Sequence, residues 1–253
     1  MSLENAIYVD GANAPIDVTG TTKLHPLGTR MILEDGRVFV YAKAGGAITG
    51  TNNAVKNPEP QGVQYRAIAT ACAVGGKTVT VTCASPDGLA GTGTIVADEF
   101  EGGYILFFTN SNTNQQIRRI VSNTAGTTSI EFTFDRELGI AATTDDIVEA
   151  MHSPYVAVEQ TTSAWDPVVG VAPVTVADGS YFWIQTWGIC WCSPQTGAGL
   201  AGATGLIFKH DGSLNPTYTT VDLNNSSQYA GHVICSTATG AQAAPFFMLQ
   251  LCP

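Results

Sequence analysis

Short runs of β-forming residues, separated by Asp-Gly turns, constrain the fold of this chain more than any other feature. Asp-Gly pairs stand at 35–36, 87–88, 178–179 and 211–212, and the runs between them are rich in Val, Ile, Thr, Phe and Tyr. Runs of this length and composition are typical of strands. The sequence therefore predicts an all-β protein, an antiparallel β-sandwich or barrel with a second, inserted β-meander domain and an extended N-terminal arm.

Three segments give more detailed predictions. "RMILEDGRVFVYA" predicts a β-hairpin in which residues 31–33 and 37–41 flank the Asp-Gly turn. "KTVTVTCASPDG" places two valines and Cys83 on one face and three threonines on the other, the alternation of a half-buried strand. The region 104–134 predicts a three-stranded meander with strands at 104–108, 116–121 and 128–134.

The segment "TTDDIVEAMHSP" is ambiguous. Thr143 or Thr144 followed by acidic residues fits the start of a short helix. The same residues fit a strand, because Ile147 and Glu149 alternate with their neighbours. Both interpretations stay open at the level of sequence.

Composition and turn placement divide the chain into three parts. Residues 1–60 hold the N-terminal arm and the first hairpin, 61–155 form a Thr-rich β-meander domain, and 156–253 form a C-terminal β domain with an aromatic core strand. We expect the first and last parts to build one sandwich or barrel, with the middle part inserted between them.

The aromatic strand is "YFWIQTWGICWCSP", at 181–194, with three of the four tryptophans. Alternate residues of a strand share a face, and both faces of this segment are mainly apolar. This pattern predicts a strand buried between layers or at a subunit interface, since large aromatic residues mostly occupy such places.

The six cysteines suggest no redox or metal chemistry. Cys190 and Cys192 would lie ~6.6 Å apart along a strand, which places them poorly for a mutual disulfide, because that bond needs Cβ atoms ~3.8 Å apart. The other four are dispersed singly, and the paired Cys-x₂-Cys spacing of structural zinc sites does not occur. All six are expected to be buried thiols that act as small hydrophobic residues.

Catalytic motifs are missing from the sequence. It contains no Gly-x-Ser-x-Gly elbow, no phosphate-binding loop and no pair of histidines at a metal-binding spacing. Paired acidic residues of the glycosidase kind remain open, because their separation is a three-dimensional property. We expect a protein that is not an enzyme and that needs no cofactor.

Charge narrows the choice of partners. The chain has 21 acidic and 11 basic residues, a net charge of −10 that disfavours nucleic-acid binding. Charged residues make up 13% of the chain, about half the ~25% usual for soluble domains, which favours an oligomer or a component of an assembly. The start of the chain is unlike a signal peptide and no apolar run approaches ~20 residues, so we expect synthesis in the cytoplasm and no membrane contact.

Three stretches resemble structural proteins of tailed-bacteriophage virions, among them head decoration (capsid cement) proteins. They are "LHPLGTRMILEDGRVFVYAKAGGA" (24–47), "FEGGYILFF…RRIVSNTAG" (100–126) and "VVGVAPVTVADGSYFWIQTWG" (168–188). The resemblance implies a virion protein that binds the major capsid protein and associates with itself, a trimer being favoured. It carries over no catalytic residue, and the chain departs from the pattern at 189–192.

Contact residues follow from the arm and from one tryptophan. An arm with little periodicity commonly gains structure only on a partner, and Trp165 is expected to be an exposed interface anchor. The candidates are Ile7, Tyr8, Pro15, Ile16, Pro26 and Trp165.

Two other functions compete with capsid decoration. A tail-associated or fibre protein that binds host-surface glycans is suggested by Trp183, Trp187 and Trp191 together with polar turns rich in Asn and Thr. A polysaccharide hydrolase that uses paired acids is the third and weakest possibility.

Overall fold

A computed structural model describes residues 6–49, 53–58, 62–108, 115–160, 163, 166–193, 198, 204–217, 228–235 and 246–252. Within these ranges the chain forms strands and a turn of 3-10 helix at Gly11–Asn13, and no α-helix. The all-β prediction is confirmed. The strands are β1 (Ala6–Val9), β2 (Arg30–Leu33), β3 (Val38–Lys43), β4 (Asn53–Lys56), β5 (Val63–Thr70), β6 (Thr78–Thr82), β7 (Tyr104–Phe108), β8 (Gln115–Asn123), β9 (Ser129–Phe134), β10 (Ile147–Met151), β11 (Val168–Ala172), β12 (Tyr181–Cys190), β13 (Gly205–Phe208), β14 (Leu214–Pro216), β15 (Gln228–Cys235) and β16 (Phe246–Gln250).

The strands group into two compact units. The sheet unit comprises Met1–Pro58 and Tyr155–Pro253, and the barrel unit comprises Glu59–Pro154. The barrel unit therefore interrupts the sheet unit in sequence.

The sheet unit contains a ten-stranded sheet. Eight of its strands follow the order β1-β2-β3-β12-β16-β15-β13-β14, and the other two, β11 and β4, lie off this path, with β11 paired to β12 and β4 paired to β11. Strand β12 pairs with β3 along one edge. Along its other edge it pairs first with β11, at Gln185, and then with β16 from Trp187 onward. This change of partner makes β12 the strand that joins the two parts of the sheet.

Both faces of β12 are buried, as the aromatic pattern predicts for a core strand. Trp183 packs with Met31, Leu33, Phe39 and Tyr41. Phe182 and Ile184 contact a second apolar cluster, and Cys190 belongs to a third. Three clusters of apolar side chains thus depend on one strand.

The predicted hairpin forms between β2 and β3. The turn places Gly36 at φ +84°, a conformation that glycine adopts without a steric penalty. The Asp35 carboxylate accepts hydrogen bonds from the Arg37 backbone N–H, at 3.0 Å, and from Arg37 Nε, at 2.7 Å. Local turn chemistry is sufficient to explain this hairpin.

The barrel unit is a closed six-stranded antiparallel barrel with the order β10-β5-β6-β9-β8-β7. Strands β7, β8 and β9 pair consecutively as the predicted meander. The segment 143–154, for which the sequence left helix and strand open, contains a strand, β10. This strand pairs with both β5 and β7 and closes the barrel. Val79, Val81 and Cys83 of the alternating segment point into the barrel core.

A buried acid and a histidine connect loops at one end of the barrel. His152 Nε2 lies 3.0 Å from Glu99 Oε1, and the Glu99 carboxylate also accepts from the backbone N–H groups of Leu89 and Val96, at 2.6 and 2.9 Å. The His152 ring stacks on Phe100 with 3.9 Å between centroids. Burial alone favours the neutral acid, but these hydrogen bonds outweigh it and hold the pKa of Glu99 below its ordinary value of 4.5.

Low pH is therefore expected to lower the stability of the barrel unit, because it protonates Glu99. A carboxyl whose pKa is lowered by folding adds stability above its unfolded pKa, and that stability is lost as the pH falls below about 4.5. Hydrogen exchange of peptides from 59–154, measured from neutral pH downward, should show protection declining in this window. Glu99→Gln should flatten the decline, whereas an unchanged pH profile in that variant would contradict the assignment.

Candidate interaction surfaces

The N-terminal arm is structured on the chain's own sheet. Strand β1 pairs in parallel with β2, from Ala6 opposite Arg30 to Val9 opposite Leu33. Asp10 caps the short 3-10 turn by accepting from the Ala12 backbone N–H at 2.7 Å. The expectation of an arm that gains structure only on a partner is therefore wrong for these residues, because β2 supplies the pairing within the molecule.

The proposed contact residues of the arm fall into two groups. Ile7 and Ile16 are half-buried against the cluster of Trp183, so they support the fold. Pro15 is also half-buried, and Pro26 is exposed. Tyr8 is 79% exposed, which leaves it as the large apolar residue of the group that is available to a partner. Trp165 lies outside the described residues.

Strand β1 forms the outer edge of its sheet. It stands at the end of the strand order, and no other described strand pairs with its free edge. Beside it lies a shallow cleft of about 320 Å³, lined by Tyr8, Val9, Asp10, Ile32, Leu33 and Glu34. We call β1 and this cleft the arm edge. Its unpaired backbone groups can accept a further strand.

The barrel carries a second surface, on the outside of β7, β8 and β10. In their register, Leu106 lies between Glu149 and Ile117, and Tyr104 lies between Met151 and Arg119. Residues opposite each other in a sheet share a face. The barrel face, as we call this surface, consists of the apolar residues Tyr65, Tyr104, Leu106, Phe108, Ile117 and Met151.

Tyr65 joins the barrel face through a bulge in β5. Between Val63 and Arg66 the strand has one residue more than β10 opposite, and Tyr65 takes φ +51°, which is rare for a bulky side chain. The bulge directs its ring outward, with 6.5 Å between the ring centroids of Tyr65 and Phe108. Strained residues of this kind concentrate at functional sites.

Asp87 holds the bulge from inside. Its side chain is fully buried, and its carboxylate accepts from the Gln64 backbone N–H at 3.2 Å and from Arg66 Nε at 2.7 Å. The Ala84 backbone N–H donates to the same carboxylate at 2.9 Å. The carboxylate thus accepts a hydrogen bond from the Gln64 N–H, a backbone group that the bulge removes from the hydrogen bonding between strands.

A cleft of about 370 Å³ opens on the barrel face. Its walls are mainly apolar, and Glu149 contributes a carboxylate to them. Such a surface suits a macromolecular partner that places apolar side chains against the cleft and a cationic side chain opposite Glu149. The lining residues are Gly62, Val63, Gln64, Tyr104, Leu106, Ile117, Glu149, Ala150 and Met151.

Cysteine chemistry is suppressed where the thiols are buried. Burial raises the pKa of Cys190 and raises that of Cys192 to about 12, so both remain protonated at neutral pH. Cys235 and Cys252 are exposed, which corrects the expectation that all six are buried; Cys235 ends β15 and Cys252 follows β16, and both lie outside the core. Within the described ranges, no three His, Cys, Asp or Glu side chains are grouped to hold a metal ion.

The tryptophans do not form an exposed platform. Trp183 is 3% exposed, and the centroid of its ring lies 5.0 Å from the centroid of the Tyr41 ring. Trp187 and Trp191 are half-buried. A row of three exposed indole rings, the feature that suggested glycan binding, is therefore not available on β12.

The barrel face escaped the sequence analysis, although one signal was visible. Residues 104–108 are apolar at every position, whereas a strand with one face in water normally alternates. The sequence predicts a strand here but does not indicate what covers its second face. Tyr65 had no comparable signal, because its orientation depends on the bulge.

No family model, no curated protein and no solved structure matches this chain. In the described part of the chain, no helix has the length and apolar character needed to cross a membrane.

Proposed function

We propose that this protein is a structural virion protein that binds and stabilises the assembled capsid of a tailed bacteriophage, as a decoration or cement protein. It is made in the host cytoplasm and resides on the capsid surface. Its partners are the major capsid protein and further copies of itself, with a trimer favoured. This function requires no catalytic residue and no cofactor.

The arm edge is the observation that carries the proposal. An exposed edge strand binds a partner by pairing with an extended segment, and an adjacent side-chain pocket adds specificity. Here β1 supplies the edge, while Tyr8 and its cleft supply the pocket. An extended segment of the capsid protein adds to β1 as a further strand.

Composition and resemblance support the same function. The stretches 24–47, 100–126 and 168–188 resemble phage virion proteins, and the first of them contains the β2–β3 hairpin on which the arm lies. The net charge of −10 disfavours contact with packaged DNA.

Replacing Tyr8 tests the arm edge. Tyr8→Ala is expected to weaken co-sedimentation with capsids that lack the protein by about tenfold or more, because Tyr8 lines the cleft that receives the partner segment and tyrosines are typical interface hot spots. Tyr229→Ala is the matched control, since Tyr229 is also exposed in the sheet unit but lies on β15. Equal binding by both variants would exclude the arm edge as the capsid contact.

The copy number in purified virions tests the function itself. Quantitative mass spectrometry should find a number comparable with that of the major capsid protein. A number smaller by an order of magnitude or more would move the protein to the tail or a vertex and would favour glycan binding. Failure of the wild-type chain to bind capsids would overturn the proposal.

A further inference from the structure

We infer that the barrel face packs against the barrel face of a second copy of this chain, with Glu149 of each copy opposite Arg119 of the other. This two-fold contact is separate from the contacts of the trimer proposed above; it goes beyond capsid binding and does not depend on it. The inference rests on the exposed apolar area, on two unpaired charges of opposite sign, and on their positions in the sheet.

The apolar area is comparable with the largest exposed apolar patch of a typical monomer. Tyr65, Tyr104, Ile117 and Met151 are between 43% and 67% exposed, and Leu106 and Phe108 are partly exposed between them. The barrel face then exposes about 500 Å², taking roughly 200 Å² for each fully exposed large side chain. Exposed patches of this size are often functional in soluble proteins.

Glu149 and Arg119 flank this apolar area on opposite sides. Glu149 is on β10 and Arg119 is on β8, with β7 between them. The two residues are two strand spacings apart across the sheet and two residues apart along the strand direction, so their Cα atoms lie about 12 Å apart. Neither side chain forms an ion pair with any residue that the structure describes.

These charges restrict what can cover the barrel face. Desolvating an unpaired charge at an interface costs several kcal/mol, so a partner must supply a cation near Glu149 and an anion near Arg119. The barrel unit has 11 acidic and five basic residues, so a basic partner is attracted to it, but such a partner would leave Arg119 unpaired. A second copy supplies both opposite charges at once.

The positions of the two charges fit a two-fold arrangement. A two-fold axis that lies in the plane of the interface can pass between Tyr104 and Leu106, perpendicular to the line from Glu149 to Arg119. Rotation about this axis brings Glu149 of one copy over Arg119 of the other. The apolar side chains of β7 then meet at the centre. Two copies would bury about 1,000 Å² in total, the lower limit for a specific interface, so the association is expected to be micromolar.

Charge reversal tests the pairing directly. Sedimentation velocity should show self-association of the wild-type chain at concentrations up to about 200 µM, the range set by an interface of this size. Glu149→Arg and Arg119→Glu should each weaken it by about tenfold or more, and the double variant should recover most of the loss. Glu131→Arg is the matched control, an exposed acid on β9 away from the barrel face.

Hydrogen exchange of the wild-type chain provides a measurement that needs no variant. Peptides that contain 104–108 and 147–151 should be more protected at high than at low protein concentration. A wild-type monomer over the whole range, a double variant no better than the single ones, or protection independent of concentration would each overturn the inference. A chain that self-associates but does not bind capsids would overturn the proposed function and leave this inference standing.

Discussion

Asp87→Ala is expected to destabilise the barrel unit by about 2–4 kcal/mol, because it removes a fully buried carboxylate from a largely buried guanidinium and from two backbone N–H groups. The substitution leaves the Arg66 guanidinium without its carboxylate and the Gln64 backbone N–H without an acceptor. Since domains are stable by about 5–15 kcal/mol, the loss is a large share of the total. We also expect the bulge at Tyr65 to relax, because Asp87 holds its inner side.

The measurement has to report on the barrel unit. All four tryptophans lie outside 59–154, so their fluorescence follows the sheet unit. Hydrogen exchange of barrel peptides in increasing denaturant is the appropriate readout. Asp145→Ala, at an exposed position of the same unit, is the control and should change stability by less than about 0.5 kcal/mol. A loss of similar size in both variants would show that Asp87 has no special role.

Trp183→Ala is expected to destabilise the sheet unit by about 3–5 kcal/mol, since it removes a large buried side chain and leaves a cavity. Trp183 contacts the rings of Tyr41 and His25 at centroid distances of 5.0 and 5.4 Å. Its cluster also holds Ile7 and Ile16, so the cavity should loosen the arm. Urea denaturation followed by the fluorescence of the remaining tryptophans, all of which lie in the sheet unit, measures the loss.

Trp187 in the same strand is the matched control. It is half-buried, so Trp187→Ala should cost clearly less than Trp183→Ala. The same comparison tests the arm, because only Trp183→Ala should lower the protection of residues 6–20 from hydrogen exchange. The interpretation would not survive equal losses of stability in the two variants.

The secondary structure was predictable where local rules govern it. The β2–β3 hairpin follows from an Asp-Gly turn between two apolar runs, and the inward positions of Val79 and Val81 follow from strict alternation. The meander of β7, β8 and β9 follows from short turns between consecutive strands. Each of these depends on residues that are close in sequence.

The candidate surfaces were predictable only in part. Tyr8 was named as a contact residue and is exposed, but Ile7 and Ile16, named with it, are half-buried against the cluster of Trp183. Their side chains cannot be told apart by composition, because β1 is short and its burial depends on the sheet beneath it. In the sequence, nothing distinguishes Glu149 and Arg119 from other charged residues. Only the register of β7 with its neighbours β10 and β8 places the two on one surface.

By itself the sequence determined that this protein is all-β, where its turns fall and which alternating residues point inward, because a strand's period and a turn's chemistry are local properties. Only the folded chain shows that 147–151 is the strand that closes the barrel, that Trp183 is buried whereas Trp187 is half-buried, and that Tyr65 turns outward. Those outcomes depend on contacts such as that of Asp87 with Gln64, 23 residues away, and of β10 with β7. Contacts between distant segments form only when the whole chain folds, so no local pattern encodes them.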